Sequence, residues 1–300
     1  DLKIPSAIYE ALSIYLLLAI GLKGGVVLSK YPLAELLSST LVVVAVSMVI
    51  PLTAFAVLRF VGRFNHYDSA AIAAHYGSVS VVTYSVAVAA LAKEQIDHDG
   101  FMVVYLALLE MPALVLGVVL ARLGERQEET SGWAALARIE WGRLLHEVFL
   151  GKSILLLIGG LVIGLISGES GYAPIAPFFQ EGFKGALAIF LLEMGLVAAS
   201  RVAAFRTYGW FLVVFGIAMP VASALLGIAT AALLDHSIGN AALLATLYAS
   251  ASYIAAPAAM RIAVPKANPA LSIGASLGVT FPFNLFFGIP LYLWLTETFL

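Results

Sequence analysis

HYGSVSVVT, His75–Thr83, and LYASASYIA, Leu247–Ala255, are the two stretches whose comparison decides how this chain is read. Each places a tyrosine and a small residue ahead of Ser-x-Ser, and the two copies stand 172 residues apart. Working outward, LSIYLLLAIGL (Leu12–Leu22) aligns with ALAIFLLEMGL (Ala186–Leu196) at an offset of 174. Short apolar strings often agree by chance, but two matches in nearly one register point to a duplicated unit.

Both serine elements sit near the middle of long apolar segments. A bilayer core of about 30 Å calls for roughly 20 apolar residues per helix. Nine segments of this kind can be placed: Ala7–Leu28, Leu33–Val57, Ser69–Ala92, Phe101–Ala121, Ser153–Ile166, Ile175–Ala199, Tyr208–Leu234, Asn240–Met260 and Leu271–Leu295. The fifth is the shortest. Composition agrees, since 62% of residues are hydrophobic and only 11% charged, against about a quarter charged in a soluble domain. The formal net charge of −2 supplies no basic field for nucleic acid. The absence of cysteine excludes disulfides, thiolate nucleophiles and Cys-ligated metals.

One long polar stretch, Arg122–Lys152, divides the chain. It reads as a loop followed by an amphipathic, interfacial helix, WAALARIEWGRLLHEVFL. The predicted organisation is therefore 1–121 as a first repeat, 122–152 as a loop and 153–300 as a second repeat. Counting sides alternately, one face collects most of the basic residues, from Lys3, Arg59 and Arg63 through the long loop to Arg261 and Lys266. The other receives Lys30 and Lys93, while Lys23 and Lys184 fall inside segments. The positive-inside rule makes the first face cytoplasmic, with the long loop inside and the C-terminus near Leu300 outside. On this count the third and eighth segments run in opposite directions, so the repeats are inverted. The fifth segment has no mate ahead of the first, which predicts a leading helix before Asp1 and a five-plus-five architecture.

Inverted repeats in membranes characterise secondary transporters, whose sites lie near the midplane where the repeats meet. A helix break at Tyr76-Gly77-Ser78 or at Ala249-Ser250-Ala251 would expose N–H groups and the positive end of a helix dipole, which bind anions without a full cation. The serine hydroxyls add donors for an anion or acceptors for a metal ion. The plainer alternative is that small and hydroxylated residues let helices pack closely.

Ionisable groups inside a bilayer are costly and point to function unless paired or near an interface. Glu110, in LLEMPA, lies mid-segment two residues before Pro112, which lacks an N–H and so leaves a carbonyl free nearby. Carboxylate and carbonyl oxygens together suit a hard cation. The sodium site predicted here combines Glu110 with hydroxyl and amide oxygens that the repeat would bring close: Ser80, Thr83, Ser252, Thr280 and Asn284. A structural ion pair or hydrogen bond is the alternative for Glu110. Glu193 and Lys184 read as snorkelling groups. His75 reads either as a proton shuttle or as a hydrogen-bonded interface histidine.

Several longer stretches carry a resemblance: IPSAIYEALSIYLLLAIGLKGG, GSVSVVT, LLEMPALVLG, VPKANPALSIGAS, FPFN and GIPLYL. In these the chain resembles the sodium-dependent bicarbonate transporters described in cyanobacteria, over nearly its whole length. The resemblance implies an elevator-like membrane protein with gate and core domains, a homotrimer in the bacterial inner membrane, importing bicarbonate with sodium. It implies an anion site formed by Gly77, Ser78, Val79 and Ser80 with Ser250, Ala251 and Ser252, and a PII-like partner on the cytoplasmic face. This chain departs from the cyanobacterial pattern in carrying Tyr253 where an acidic residue is expected, Val81 and Val82 where Gly and Ser are, and Glu110 in place of Asp; its cytoplasmic loop is also shorter.

Enzymatic motifs are missing from the sequence: there is no His/Glu pair at metal spacing, no Gly-Lys-Ser phosphate loop and no Gly-x-Ser-x-Gly elbow. No cofactor beyond the coupling ion is expected. The competing functional classes are a carrier of the same fold for another small monocarboxylate or for cation/proton exchange, and a transport-inactive sensor or scaffold.

Overall fold

The computed structural model describes residues 5–30, 33–123, 142, 152–201 and 205–300. Among these every regular element is a helix. The segment 122–152 lies almost wholly outside the described residues, and with it the expected interfacial helix.

The first half contains α1 (Ser6–Leu28), α2 (Leu33–Ser47), α3 (Val49–Ala56), α4 (His66–Gly77), α5 (Val81–Lys93) and α6 (Met102–Leu123). The second contains α7 (Lys152–Tyr172), α8 (Phe183–Arg201), α9 (Phe205–Leu233), α10 (Ile238–Ala249), α11 (Ala255–Ala263) and α12 (Pro269–Phe299). Among the described residues seven spans are long and apolar enough to cross a bilayer, two of them formed by α2 with α3 and by α4 with α5. The protein is thus a multi-pass membrane protein. The expected sixth segment corresponds to α8. The eighth is divided, because α10 stops at Ala249 and α11 resumes only at Ala255.

The structure refines two boundaries. The fifth segment, expected to stop at Ile166, leaves helical geometry at Gly168, whose φ of 58° falls where glycine is favoured, and a further short helical stretch runs on to Tyr172. The sixth, expected from Ile175, opens with a π-type turn at Pro177–Glu181, and α-helical geometry begins at Phe183. Pro177 stands at the first position of that turn, where the missing N–H costs nothing.

Local side chains set the starts of the central helices. Asn65 accepts from the Asp68 N–H at 2.9 Å at the head of α4, Ser80 from the Thr83 N–H at 3.2 Å at the head of α5, and Ser237 from the Asn240 N–H at 3.4 Å at the head of α10. α12 contains two stretches of wider, π-type turn, Gly274–Thr280 and Asn284–Gly288. Such turns free backbone groups for tertiary bonds. The Thr280 hydroxyl takes part in bonds to Gly216 O of α9 and to the Tyr76 hydroxyl of α4, each at 2.7 Å.

The helices form two groups. α1 packs along α7 and against α8, while α4 packs with α3 and α6, and α10 with α9, α5 and the end of α12. In the second group, Asp99 holds Asn240 through two hydrogen bonds of 2.6 and 2.8 Å. Beside it His236 shares a 3.2 Å bond with Tyr105. Burial pushes His236 below the ordinary imidazole pKa against the pull of Asp99, so it sits there as a neutral partner at pH 7.

Close backbone approach fixes the α1–α7 pair. A Cβ on Gly25 would stand 2.0 Å from Leu161 O, and one on Gly164 2.1 Å from Leu22 O. Small residues spaced one turn apart let membrane helices touch in this way. Gly25→Ala is therefore expected to lower the thermal midpoint of the purified protein by several degrees, consistent with an overpacking cost of about 1–3 kcal/mol. Gly159→Ala, on the same helix as Gly164 with no atom within 4 Å of its Cβ, should leave the midpoint within a degree. Equal midpoints in thermal unfolding would show that the two helices do not meet through these glycines.

Candidate functional site

The chain leaves helical geometry at the middle of both serine elements. α4 ends at Gly77 and Ser78 is extended, with ψ 166°; α10 ends at Ala249 and Ser250 is extended, with ψ 164°. Four hydrogen bonds then close the gap. The Ser80 N–H donates to Ser250 Oγ at 2.9 Å, and the Ser252 N–H to His75 O at 2.8 Å. Asn284 Nδ2 donates to Ala249 O at 2.9 Å, and Ser78 Oγ to Glu110 O at 3.2 Å.

Ser80 is the node of this crossing. Its hydroxyl accepts from the Thr83 N–H and, at 3.0 Å, from the Thr83 hydroxyl, and donates to the Tyr253 hydroxyl at 3.2 Å. Because α5 begins at Val81, its first-turn N–H groups have no intrahelical acceptor. Ser80 takes that of Thr83 and leaves those of Val81 and Val82. Ser252 plays the matching role for α11, accepting from the Ala256 N–H at 3.2 Å.

A small cavity lies at this helix start, with an accessible volume of about 20 Å³, room for one water-sized group. Val79, Ser80, Ser252 and Glu110 line it, and so do Val81 and Val82. Glu110 is 3% exposed, and its Oε2 has no hydrogen-bond partner. Across the cavity stand Leu16 of α1 and Phe190 of α8, both buried.

The predicted site residues thus fall into two sets. Val79, Ser80, Ser252 and Glu110 share the cavity, and Thr83 is bonded to Ser80 just behind it. The others hold the scaffold. Gly77 provides close approach, since a Cβ there would meet Pro51 and Ala113 at 2.7 and 2.8 Å. Ser78 and Ser250 bond backbone groups, and Ala251 is buried beside them. Thr280 is engaged by Tyr76 and Gly216, and Asn284 by Ala249 O and the Tyr292 hydroxyl, so neither is on the cavity wall. His75 bonds Ala71 O through Nδ1 at 2.7 Å, its Nε2 is buried without a partner, and it too is absent from the wall. Glu193 is half-buried within α8.

Sequence reasoning missed Leu16, Phe190 and Ser13 as parts of the wall. A signal was present, because the aligned stretches Leu12–Leu22 and Ala186–Leu196 place Leu16 opposite Phe190 at the same offset of 174.

The sequence profile of the Na+-dependent bicarbonate transporter superfamily matches residues 1–297. The chain belongs to that superfamily. No curated protein sequence matches it. Within the superfamily frame, two broken helices meeting at a buried carboxylate are the feature of this chain that can serve an anion and a cation together.

Ser250→Ala removes the acceptor of the buried Ser80 N–H. It is expected to destabilise the protein by about 1–3 kcal/mol, the cost of an unsatisfied buried donor. Ser250→Thr, which keeps the hydroxyl, should recover most of that loss in thermal unfolding, and equal losses in the two variants would remove this bond from the account.

Proposed function

We propose that the protein is a sodium-coupled importer of bicarbonate or a similarly small anion. One observation carries this reading: the carboxylate of Glu110, whose Oε2 is buried without a hydrogen-bond partner, shares a cavity with the first turn of α5. Helix N-termini attract anions, but an ionised carboxylate on the same wall repels them. A cation on Glu110 removes that repulsion, so anion and sodium each favour the other's binding. Ser252, whose hydroxyl accepts from the Ala256 N–H alone, supplies a neutral oxygen for the cation, with the backbone N–H groups turned to the anion.

Coupling is also required energetically. Moving one negative charge into a cell with a negative interior costs about 2.3 kcal/mol per 100 mV. Sodium entering with the anion cancels that cost. The cavity holds only a water-sized group, so Leu16 and Phe190 must withdraw from the crossing before an anion can enter. Movement of the α1–α7–α8 group against the rest is the elevator-like step, with the first group as gate and the second as core.

The proposed inverted repeat draws support from α4 and α10, which are each 12 residues long, begin 172 residues apart, and end in serines of nearly equal ψ. The bacterial inner membrane, the homotrimer and the PII-like partner are proposed on the family likeness, and the orientation on the charge count.

Reconstitution into proteoliposomes tests the function. Labelled bicarbonate uptake should rise at least tenfold when a sodium gradient is imposed. Glu110→Gln should lose nearly all of that stimulation, whereas Glu193→Gln should keep it. Full sodium-driven uptake by Glu110→Gln would make the carboxylate structural, and uptake driven by a pH gradient instead would assign the coupling to protons.

A further inference from the structure

A second and much larger cavity adjoins the first, with an accessible volume of about 480 Å³, and Ser85 lines both. Its walls come from α1, α5, the start of α6, and residues 179–187. Bicarbonate would fill a small part of it, whereas this volume falls within the range of about 300–1,000 Å³ found for organic ligands. Most of the wall is apolar, with Ile20, Val88, Val103 and Leu187 among its residues.

The polar groups on that wall favour one kind of ligand. Lys23 and Lys184 both line it. Among the described residues the ion pair found joins Lys30 to Glu169, and neither Lys23 nor Lys184 has one, although Glu181 is also on the wall. Tyr84, 3% exposed and on the same wall, has a buried hydroxyl with no hydrogen-bond partner. Two lysines without an ion pair among the described residues and an orphan hydroxyl, on the wall of a large and mostly apolar space, suit a carboxylate attached to a short hydrocarbon chain. A purely apolar occupant would leave all three unanswered, and a small inorganic anion would leave the apolar wall bare.

We propose that this cavity is a binding site for an amphiphilic organic monocarboxylate, held by Lys23, Lys184 and Tyr84, and that its occupant blocks the way to the inner cavity. The binding half stands on the cavity alone; the blocking half rests on the transport reading above.

Titration calorimetry on the full chain in lipid nanodiscs, with hexanoate, acetate and hexanol as probes, tests the site. Hexanoate should bind at least tenfold more tightly than hexanol, and should gain about two- to fourfold over acetate for each added methylene. Lys23→Gln combined with Lys184→Gln should bring hexanoate down to the level of hexanol. Both lysines are exposed, so the variant is expected to fold, and an unchanged thermal midpoint without ligand checks this. Tyr84→Phe should weaken hexanoate severalfold and leave hexanol unchanged. Equal binding of hexanoate and hexanol by the unaltered protein, or hexanoate affinity indifferent to the lysines, would overturn the site. Lysine-dependent hexanoate binding without inhibition of bicarbonate uptake would overturn the block. Lysine-dependent binding by a protein that shows no bicarbonate uptake would uphold the site while refuting the transport function.

Discussion

Backbone groups released where α4 and α10 stop have no water to turn to inside a bilayer, and each one left unpaired costs several kcal/mol. The rest of the structure follows from how this is met. The two breaks face one another, so that Ser80 N–H finds Ser250 Oγ and Ser252 N–H finds His75 O. Asn284, from α12, takes the free carbonyl of Ala249 and is itself held by Tyr292. These bonds fix where α5 and α11 begin, and therefore where their first turns point. Irregular backbone is tolerated at membrane depth only where protein surrounds it or a cavity borders it, and both conditions hold at this crossing.

Given that frame, the position of Glu110 sets the electrostatics. A buried carboxylate without a partner is an unstable arrangement unless a proton or a cation joins it. Next to helix starts that attract anions, such a group makes anion affinity depend on what neutralises the carboxylate. That dependence is the physical content of coupling, and it needs no long-range pathway because the two ligands would share one small space.

Much of this was legible in the residues. Hydropathy gave the helices because a bilayer demands long apolar runs, and the Ser-x-Ser pair marked both breaks because small and hydroxylated residues recur there in register. Glu110 stood out as a charge where charge is costly. Thr280 and Asn284 were grouped with it only because they are polar and intramembrane; their partners, Gly216, Tyr76, Ala249 and Tyr292, depend on helix rotation, which a one-dimensional pattern does not carry. The ends of the fifth and sixth segments depend on local backbone geometry as well: Gly168 takes a non-helical φ and ψ between two helical stretches, and the sixth opens with a π-type turn at Pro177–Glu181 before α8. The wall residues Leu16 and Phe190 lay within a match already noted, yet nothing in an apolar string says which of its faces meets the site.

Sodium affinity measured on the purified protein with and without bicarbonate tests the central claim most directly, because linkage requires any mutual effect to appear in equilibrium binding. Saturating bicarbonate should tighten sodium binding by about 5- to 150-fold, the usual span of such couplings, and Glu110→Gln should abolish the effect. Sodium affinity that is the same with and without bicarbonate would contradict the account.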